Sequence, residues 1–261
     1  MANSLFQQGL EILRKEGVIQ LIKKSYRYGV RSLFSVLLRT QGYQELVSPE
    51  KKEEVIREFH KLYYNSAFTN GTFQNTYWLG IPAFKCPLDL WIYQEIIVDL
   101  KPDVIIEAGT AYGGSALFLA SICDLVEKGE VITIDIEEVD ERPNHNRIKY
   151  LTGSSVSIDI VDRVKSYIGE EEEVMVILDS DHSKDHVLEE LRVYGNLVTE
   201  GQYLVVEDTN LNGNPVCPDN GPGPMEAVKE FLENNDRFQI DESKEKFYLT
   251  FSPRGYLRKS R

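Results

Sequence analysis

The chain has 261 residues, of which 42% are hydrophobic, and it carries a formal net charge of −13 at pH 7. That charge argues against a nucleic-acid binder, because such proteins gain most of their affinity from cationic contacts to phosphates. Three scattered cysteines give neither a disulfide framework nor a zinc pattern and fit a reducing cytoplasm. We expect no secretory signal and no membrane span, and therefore a cytoplasmic protein with one substantial α/β core.

Residues 1–40 differ from the rest because they hold seven Lys/Arg against two acids, which leaves the remaining chain strongly acidic. Apolar residues recur there at helical spacing and predict one or two amphipathic helices, broken near Gly17 and Gly29. Such an arm could pack on its own domain, join a partner subunit of a homo-oligomer, or lie on an anionic membrane surface. We predict a basic helical extension over residues 1–75 and a catalytic domain over residues 76–261.

Residues 48–64 predict a helix, since Ser48 and Pro49 suit its first turn and an apolar face follows, made of Val55, Ile56, Phe59 and Leu62. Residues 69–87 are irregular and rich in aromatic side chains. This second segment is either one wall of a ligand pocket or an aromatic plug of the core.

Residues 103–115 read DVIIEAGTAYGGS, a β-branched apolar run followed by a glycine-rich turn and the start of a helix. The spacing is neither G-x-G-x-x-G nor that of a P-loop, so a pyrophosphate is not the expected ligand. Glu107 and Asp135 stand near the ends of two successive apolar runs, where a carboxylate suits a ribose diol. The stretch resembles the S-adenosylmethionine site of Rossmann-like methyltransferases. The alternative is a buried βα unit whose glycines serve packing.

Beyond this turn, apolar strands and helices alternate along the chain. The pattern predicts an α/β protein with a Rossmann-like methyltransferase fold, which is a doubly wound, mostly parallel sheet with an antiparallel last strand. We expect the closing strands near residues 237–241 and 246–252.

Two of the predicted strands end in acidic residues, Asp179 and Asp181 after the first and Glu207 and Asp208 after the second. The carboxyl ends of parallel strands share one edge of the sheet, so these carboxylates should repel each other unless a cation lies among them. Oxygen ligands without thiolates indicate magnesium, manganese or calcium. The alternative is that some of these acids only cap helices or accept loop hydrogen bonds.

These motifs together resemble the metal-dependent family that includes the cephalosporin hydroxylase protein and the rhamnosyl and macrolide-sugar O-methyltransferases. The resemblance covers about residues 77–248 and rests on PDVIIEAGTAYGGS at 102–115, LDSDHS at 178–183 and VEDT at 206–209. It implies that Asp179, Glu207 and Asp208 hold Mg²⁺ or Mn²⁺ and that His182 is the general base, with Asp181 as a competing ligand. The expected S-adenosylmethionine contacts are Glu107, Gly109, Thr110, Tyr112, Gly113, Ser115, Asp135, Ser154 and Asp179.

We therefore expect methyl transfer to a hydroxyl of a sugar, glycan or other small natural product. Two alternatives are a metal-dependent oxygenase, which would need His182 and His186 as a ligand pair, and a non-catalytic binding protein on the same fold. His145 could border the cofactor or substrate, and His60 is expected to be structural. Residues 210–224 form either a lid or a surface connection.

Overall fold

The computed structural model describes residues 47–69 and 72–260, with backbone only for 67–69. The chain divides into two compact units, Met1–Glu54 and Val55–Arg261. The arm predicted over residues 1–40 lies outside the described residues, and the predicted division near residue 75 stays a prediction. Within the described part of the chain, no helix combines the length and apolar character needed to cross a membrane.

Helix α1 spans Pro49–Thr69. The Ser48 hydroxyl accepts a hydrogen bond from the Lys51 backbone nitrogen at 3.3 Å, which satisfies one of the free N–H groups of the first turn. The predicted apolar face is not the buried one, since Val55, Phe59 and Leu62 are 51%, 51% and 68% exposed. Ile56 alone of that face is partly buried, and His60, one turn further along the helix, is buried.

A seven-stranded sheet forms the centre of the second unit, and its spatial order is β5-β4-β3-β6-β7-β9-β8. Neighbouring strands from β5 to β7 pair in parallel, and β9 runs antiparallel to both β7 and β8. The seven strands are β3 (Val104–Ala108), β4 (Glu130–Asp135), β5 (Ile148–Thr152), β6 (Val174–Leu178), β7 (Tyr203–Val206), β8 (Phe238–Ile240) and β9 (Tyr256–Lys259). A separate hairpin joins β1 (Tyr77–Trp78) to β2 (Ile81–Pro82).

Helices cover both faces of this sheet, which is why its central strands are apolar on both sides. One face is covered by α2 (Pro87–Leu100) and α3 (Gly114–Leu125), and the other by α4 (Ile158–Ser166), α5 (Lys184–Tyr194) and α6 (Pro224–Glu233). Successive residues of β3 point in opposite directions, so Ile105 packs in the first core and Ile106 in the second.

The antiparallel last strand is confirmed, but its predicted position at residues 246–252 is wrong, because β9 begins at Tyr256. The apolar residues that alternate there, Leu249 and Phe251, are buried in a small cluster with Cys86 and not in a sheet. The buried carboxylate of Asp89 in α2 fixes this segment, since it accepts hydrogen bonds from the Thr250 hydroxyl at 2.6 Å and the Phe251 backbone nitrogen at 2.8 Å.

Candidate functional site

One cavity of about 650 Å³ opens at the carboxyl ends of the five parallel strands. Each strand supplies wall residues where it ends or just beyond: Gly109 to Ala111 after β3, Ile134 to Ile136 at β4, Gly153 to Ser155 after β5, Asp179 to His182 after β6, and Glu207 and Asp208 after β7. Ligands of open parallel sheets bind at this edge, beside the strand where the order of connection reverses. That strand is β3, which lies between β4 and β6.

The glycine-rich turn brings the backbone itself to the cavity wall. Gly109 has φ +99°, and its nitrogen donates to the Ile134 carbonyl at 2.8 Å. A side chain at Gly109 would overlap the backbone of Asp179, so this position requires glycine for two independent reasons. Gly113, with φ +82°, is the N-cap residue of α3.

Asp135, the last residue of β4, ties the turn to the sheet. Its Oδ2 accepts hydrogen bonds from the backbone nitrogens of Thr110 at 3.1 Å and Ala111 at 2.7 Å. The Arg142 guanidinium lies 3.3 Å from the same oxygen and also donates to the Ala111 carbonyl at 2.8 Å. Asp135 is thus on the cavity wall with a fixed orientation, where a ribose diol could reach it.

The predicted cofactor residues divide into two groups. The cavity wall includes Gly109, Thr110, Ser115, Asp135, Ser154 and Asp179. The structure does not bring Glu107, Tyr112 or Gly113 to that wall.

Glu107 is fully buried inside β3, where its Oε2 accepts from the Thr133 hydroxyl at 2.6 Å, and burial raises its pKa. Tyr112 is about half exposed and meets the ring of Phe84 edge-on at 5.4 Å.

Among the described residues, one cluster of side chains could hold a metal ion: Asp179, His182 and Asp208. One candidate ligand atom from each lies within 4.8 Å of the others, and the His182 Nε2 is 3.3 Å from the Asp208 Oδ2. Burial raises the pKa of Asp208, an effect that His182 opposes and Glu207 reinforces. The carboxylate oxygens of Asp179 and Asp208 suit Mg²⁺ or Mn²⁺, so these residues fit the predicted metal. Glu207, the third predicted ligand, lies on the same cavity wall but outside this cluster, and His182 adjoins Asp208 as the predicted base.

Asp181 lies on the cavity wall but outside this cluster. Its Oδ1 accepts from the Ser183 backbone nitrogen at 2.7 Å, at the start of α5, and the hydrogen bonds from Ser183 lower its pKa. Of the two alternatives left open by the sequence, Asp179 is therefore the one that shares space with Asp208 and His182.

Asp179, Glu207 and Asp208 together form the acidic edge of the sheet. Lys85 also lies at this edge and was not predicted from the sequence. Its ammonium group pairs with the Asp179 Oδ2 and, at 2.7 Å, with the Glu207 Oε1, although the side chain is only 3% exposed. Burial would lower the pKa of Lys85, but the surrounding carboxylates outweigh this effect and raise it. A single lysine within the apolar run Ala83-Phe84-Lys85-Cys86 was the one available signal.

Glu207 is buried beside this ammonium group. The Tyr93 hydroxyl donates to the same Oε1 at 2.7 Å. Burial and repulsion from Asp179 raise the pKa of Glu207, whereas Lys85 acts in the opposite direction.

Part of the cavity wall is aromatic. Its wall includes Tyr64 of α1, Phe73, Phe84 and Phe251, with the Phe73 ring 5.2 Å from that of Tyr64 and 5.4 Å from that of Phe251. As predicted for residues 69–87, this segment supplies part of the pocket wall. It also contributes to the small core cluster around Phe251, so both interpretations of the segment hold.

Residues 210–224, considered as a lid, contribute nothing to the cavity wall in the described part of the chain. Leu211 and Val216 are buried, and the Asn210 amide nitrogen is 3.0 Å from the Nε2 of buried His60. The loop is therefore packed against the domain over part of its length.

The remaining histidines have partners of their own. His145 lies 3.1 Å from Asp124 and is not on the cavity wall. His186 is on the wall, but its Nε2 is 3.1 Å from the Ser155 hydroxyl and 3.4 Å from the Glu190 carboxylate. It does not belong to the His182 cluster, so the histidine pair that an oxygenase would need is not assembled.

The sheet order, the glycine-rich turn after β3 and the antiparallel last strand define a Rossmann-like methyltransferase fold. Residues 70–260 match the model of the family Rhamnosyl O-methyltransferase/CmcI, and the chain belongs to this family of O-methyltransferases.

Individual proteins of the same description are also similar to the chain in sequence. The chain is 37% identical over 212 residues to "Rhamnosyl O-methyltransferase" of Mycobacterium tuberculosis, an alignment that covers 78% of this chain and 85% of the relative. The protein of the same name from Mycobacterium leprae is 37% identical over 211 residues and is covered to 90%.

A solved structure of CmcI with Mg and SAM has a TM-score of 0.56 at 19% identity and covers 73% of this chain and 79% of its own. An apo-structure of CmcI has a TM-score of 0.57, also at 19% identity, with coverages of 75% and 84%. At this level of identity the likeness concerns the fold alone.

Proposed function

We propose that this protein transfers a methyl group from S-adenosylmethionine to a hydroxyl of a sugar, with a divalent cation at the acidic edge. One observation carries the proposal: a single cavity joins the glycine-rich turn to the cluster of Asp179, His182 and Asp208. The relatives named Rhamnosyl O-methyltransferase support a rhamnosyl or similar deoxysugar group as the acceptor.

The cofactor end of the cavity is the side formed by the turn and the ends of β4 and β5. Bound there, S-adenosylmethionine would supply a methyl group on a positively charged sulfur. Asp135 would accept hydrogen bonds from the ribose diol, and the backbone around Gly109 would allow close approach of the methionine portion. Ser154 lies on the same wall and would adjoin the adenosine.

The metal end is the acidic edge, where Asp179, Glu207 and Asp208 would hold Mg²⁺ or Mn²⁺. A cation there would lower the pKa of the acceptor hydroxyl and orient it toward the methyl group. His182 is 39% exposed and adjoins Asp208, so its ring can receive the acceptor proton. The acceptor oxygen would take the methyl group as its proton passes to His182, with S-adenosylhomocysteine as the second product.

The aromatic side of the cavity would hold the acceptor. Tyr64, Phe73 and Phe251 present apolar ring surfaces on the same cavity as Asp208. Such surfaces suit the C–H face of a deoxysugar, because they bury apolar area while the sugar hydroxyls turn to polar groups.

The test is methyl transfer by the purified protein to a rhamnoside, followed as S-adenosylhomocysteine release and as the mass of the methyl ether. We expect activity that excess chelator abolishes and added Mg²⁺ restores. The matching aglycone without its sugar should stay unmethylated. Turnover that persists in chelator would contradict the metal, and methylation of the aglycone alone would contradict the sugar.

His182→Ala separates the base from the remaining site. We expect methyl transfer to slow by about 10²–10⁴-fold, the usual contribution of a positioned general base. Binding of S-adenosylhomocysteine, measured by calorimetry, should stay the same, since His182 is not on the cofactor side. A variant with normal turnover would exclude His182 as the base.

A further inference from the structure

The Lys85 ammonium group occupies the point where Asp179 and Glu207 converge. We propose that Lys85 is a resident cation of the acidic edge: it holds these two carboxylates together when no metal is bound, and it lowers the affinity of the site for a divalent cation. Lys85 is thus a positioning residue. The inference rests on the metal site of the proposed function and deepens it.

The first argument is the location of the charges. Lys85 and Glu207 are 3% and 4% exposed, and Asp179 is one-fifth exposed. Carboxylates this close and this buried repel each other, and an unpaired buried charge is costly. The ammonium group contacts one oxygen of each, so it offsets the repulsion at the point where it is strongest.

The second argument is that Lys85 cannot easily leave. Phe84 precedes it with φ +52° and lines the cavity, and Cys86 follows it, 1% exposed, at the start of α2. The Lys85 backbone nitrogen donates to the Thr76 hydroxyl at 3.2 Å. A surface lysine swings away from an approaching cation, whereas this side chain is enclosed, 3% exposed, between its two carboxylates and a backbone anchored to Thr76.

The consequence is that Lys85 and a divalent cation compete for Asp179. Asp179 contacts Lys85 and also belongs to the cluster with His182 and Asp208. A divalent cation bound there would share Asp179 with a fixed positive charge, and like charges in a largely buried site repel more strongly than in water. Without Lys85 the same carboxylates should bind the metal more tightly.

The test compares neutral and charged replacements of Lys85. Lys85→Gln and Lys85→Met remove the charge, Lys85→Arg keeps it, and Lys149→Gln removes a lysine charge on the surface, off the cavity wall. Mn²⁺ affinity is measured from the free Mn²⁺ signal by electron paramagnetic resonance, without substrate. We expect both neutral variants to bind Mn²⁺ at least about 10-fold more tightly than the unchanged protein, with Lys85→Arg and Lys149→Gln within about 3-fold of it.

Thermal unfolding gives a second readout. Without metal, the neutral variants should unfold at lower temperature than the unchanged protein, and Mn²⁺ should raise their midpoints by more, because the metal then replaces the ammonium group. Unchanged or weaker Mn²⁺ binding in both neutral variants would overturn the proposal. So would failure of both to fold in millimolar Mg²⁺.

These outcomes differ from failure of the metal site itself. If neither the unchanged protein nor the neutral variants bind Mn²⁺, the divalent cation is absent from the mechanism and the role of Lys85 in metal affinity fails with it. If the unchanged protein binds Mn²⁺ and the neutral variants bind it equally well, only the inference about Lys85 fails.

Discussion

Replacing Gly109 with alanine should damage both ends of the cavity, because this glycine is pressed against the backbone of Asp179. An added Cβ would lie 2.5 Å from the Asp179 carbonyl carbon, closer still to its oxygen, and 3.1 Å from the Ser180 nitrogen. Carbon atoms normally approach to about 3.5–4.0 Å, so either the turn or the end of β6 has to move.

The expected loss of stability in Gly109→Ala has two contributions. A Cβ on a residue with positive φ costs about 1–2 kcal/mol, and Gly109 has φ +99°. Overpacking adds about 1–3 kcal/mol. We therefore expect Gly109→Ala to lower the free energy of unfolding by about 2–5 kcal/mol.

Gly80 provides a matched control for the strain. It has φ +87°, and a Cβ there would meet nothing within 4 Å. Gly80→Ala should thus lower the free energy of unfolding through backbone strain alone, by about 1–2 kcal/mol.

Both variants can be followed by urea denaturation with tryptophan fluorescence, since Trp78 packs on Phe118 inside the fold. Because Asp179 must shift in Gly109→Ala, its S-adenosylhomocysteine and Mn²⁺ affinities should each fall by more than about 10-fold, while those of Gly80→Ala stay unchanged. Equal stability of the two variants would refute the steric reasoning.

Three further predictions concern single residues, and a fourth concerns the N-terminal segment. Asp135→Ala should weaken S-adenosylhomocysteine binding by about 1–3 kcal/mol in calorimetry, because a hydrogen-bond acceptor on the cavity wall is lost; an unchanged affinity would move the ribose contact elsewhere. Asp208 has φ +53°, which asparagine tolerates, so Asp208→Asn should keep the fold and the cofactor affinity but lose most Mn²⁺ binding. Burial lowers the pKa of His60 to about 4, so the folded state binds fewer protons than the unfolded state below the ordinary value of 6.5; stability should fall by up to about 3 kcal/mol as the pH drops from 6.5 to 4, and His60→Gln should lack this slope in urea titrations. A truncation that starts at Glu45 should retain methyl transfer and become monomeric if residues 1–40 join subunits, whereas loss of liposome binding alone would favour the membrane surface.

The sequence predicted the sheet well because its strands are short β-branched runs that end at glycines or acids. It failed at residues 246–252, where Leu249 and Phe251 alternate as in a strand. These side chains are buried against Cys86 and the aromatic cluster, not in a ladder. Apolar and polar residues alternate along the sequence in both situations, so the pattern alone could not separate them.

Glu107 and Asp135 show a similar limit at the level of one residue. Both are acids near the end of an apolar run, yet Glu107 lies inside β3 opposite Thr133, while Asp135 is the last residue of β4. Asp135 lies two residues beyond Thr133, so the two carboxylates share a face of the sheet but not a level along it. Because the cavity lies beyond the strand ends, these two positions decide whether a carboxylate is buried or reaches a ligand.

Lys85 was out of reach of sequence reasoning for another reason. Its partners Asp179 and Glu207 are 94 and 122 residues away along the chain, and neither a motif nor a spacing connects them. Charge balance at the acidic edge predicted that a cation should be present. It did not tell a metal ion from a buried ammonium group, because both satisfy the same carboxylates.

The chemical groups of this site are built on the sheet and not on free loops. Beyond the strand ends the parallel ladder continues, as the Asp179 nitrogen donates to the Ala108 carbonyl at 2.8 Å and the Glu207 nitrogen to the Leu178 carbonyl at 2.9 Å. The glycine-rich turn and the acidic edge are therefore held in register by backbone hydrogen bonds, and group transfer requires such fixed positions. The aromatic wall comes instead from α1 and from connecting segments. We therefore expect substitutions at Tyr64 or Phe73 to change which acceptor fits without moving the groups proposed to perform the transfer.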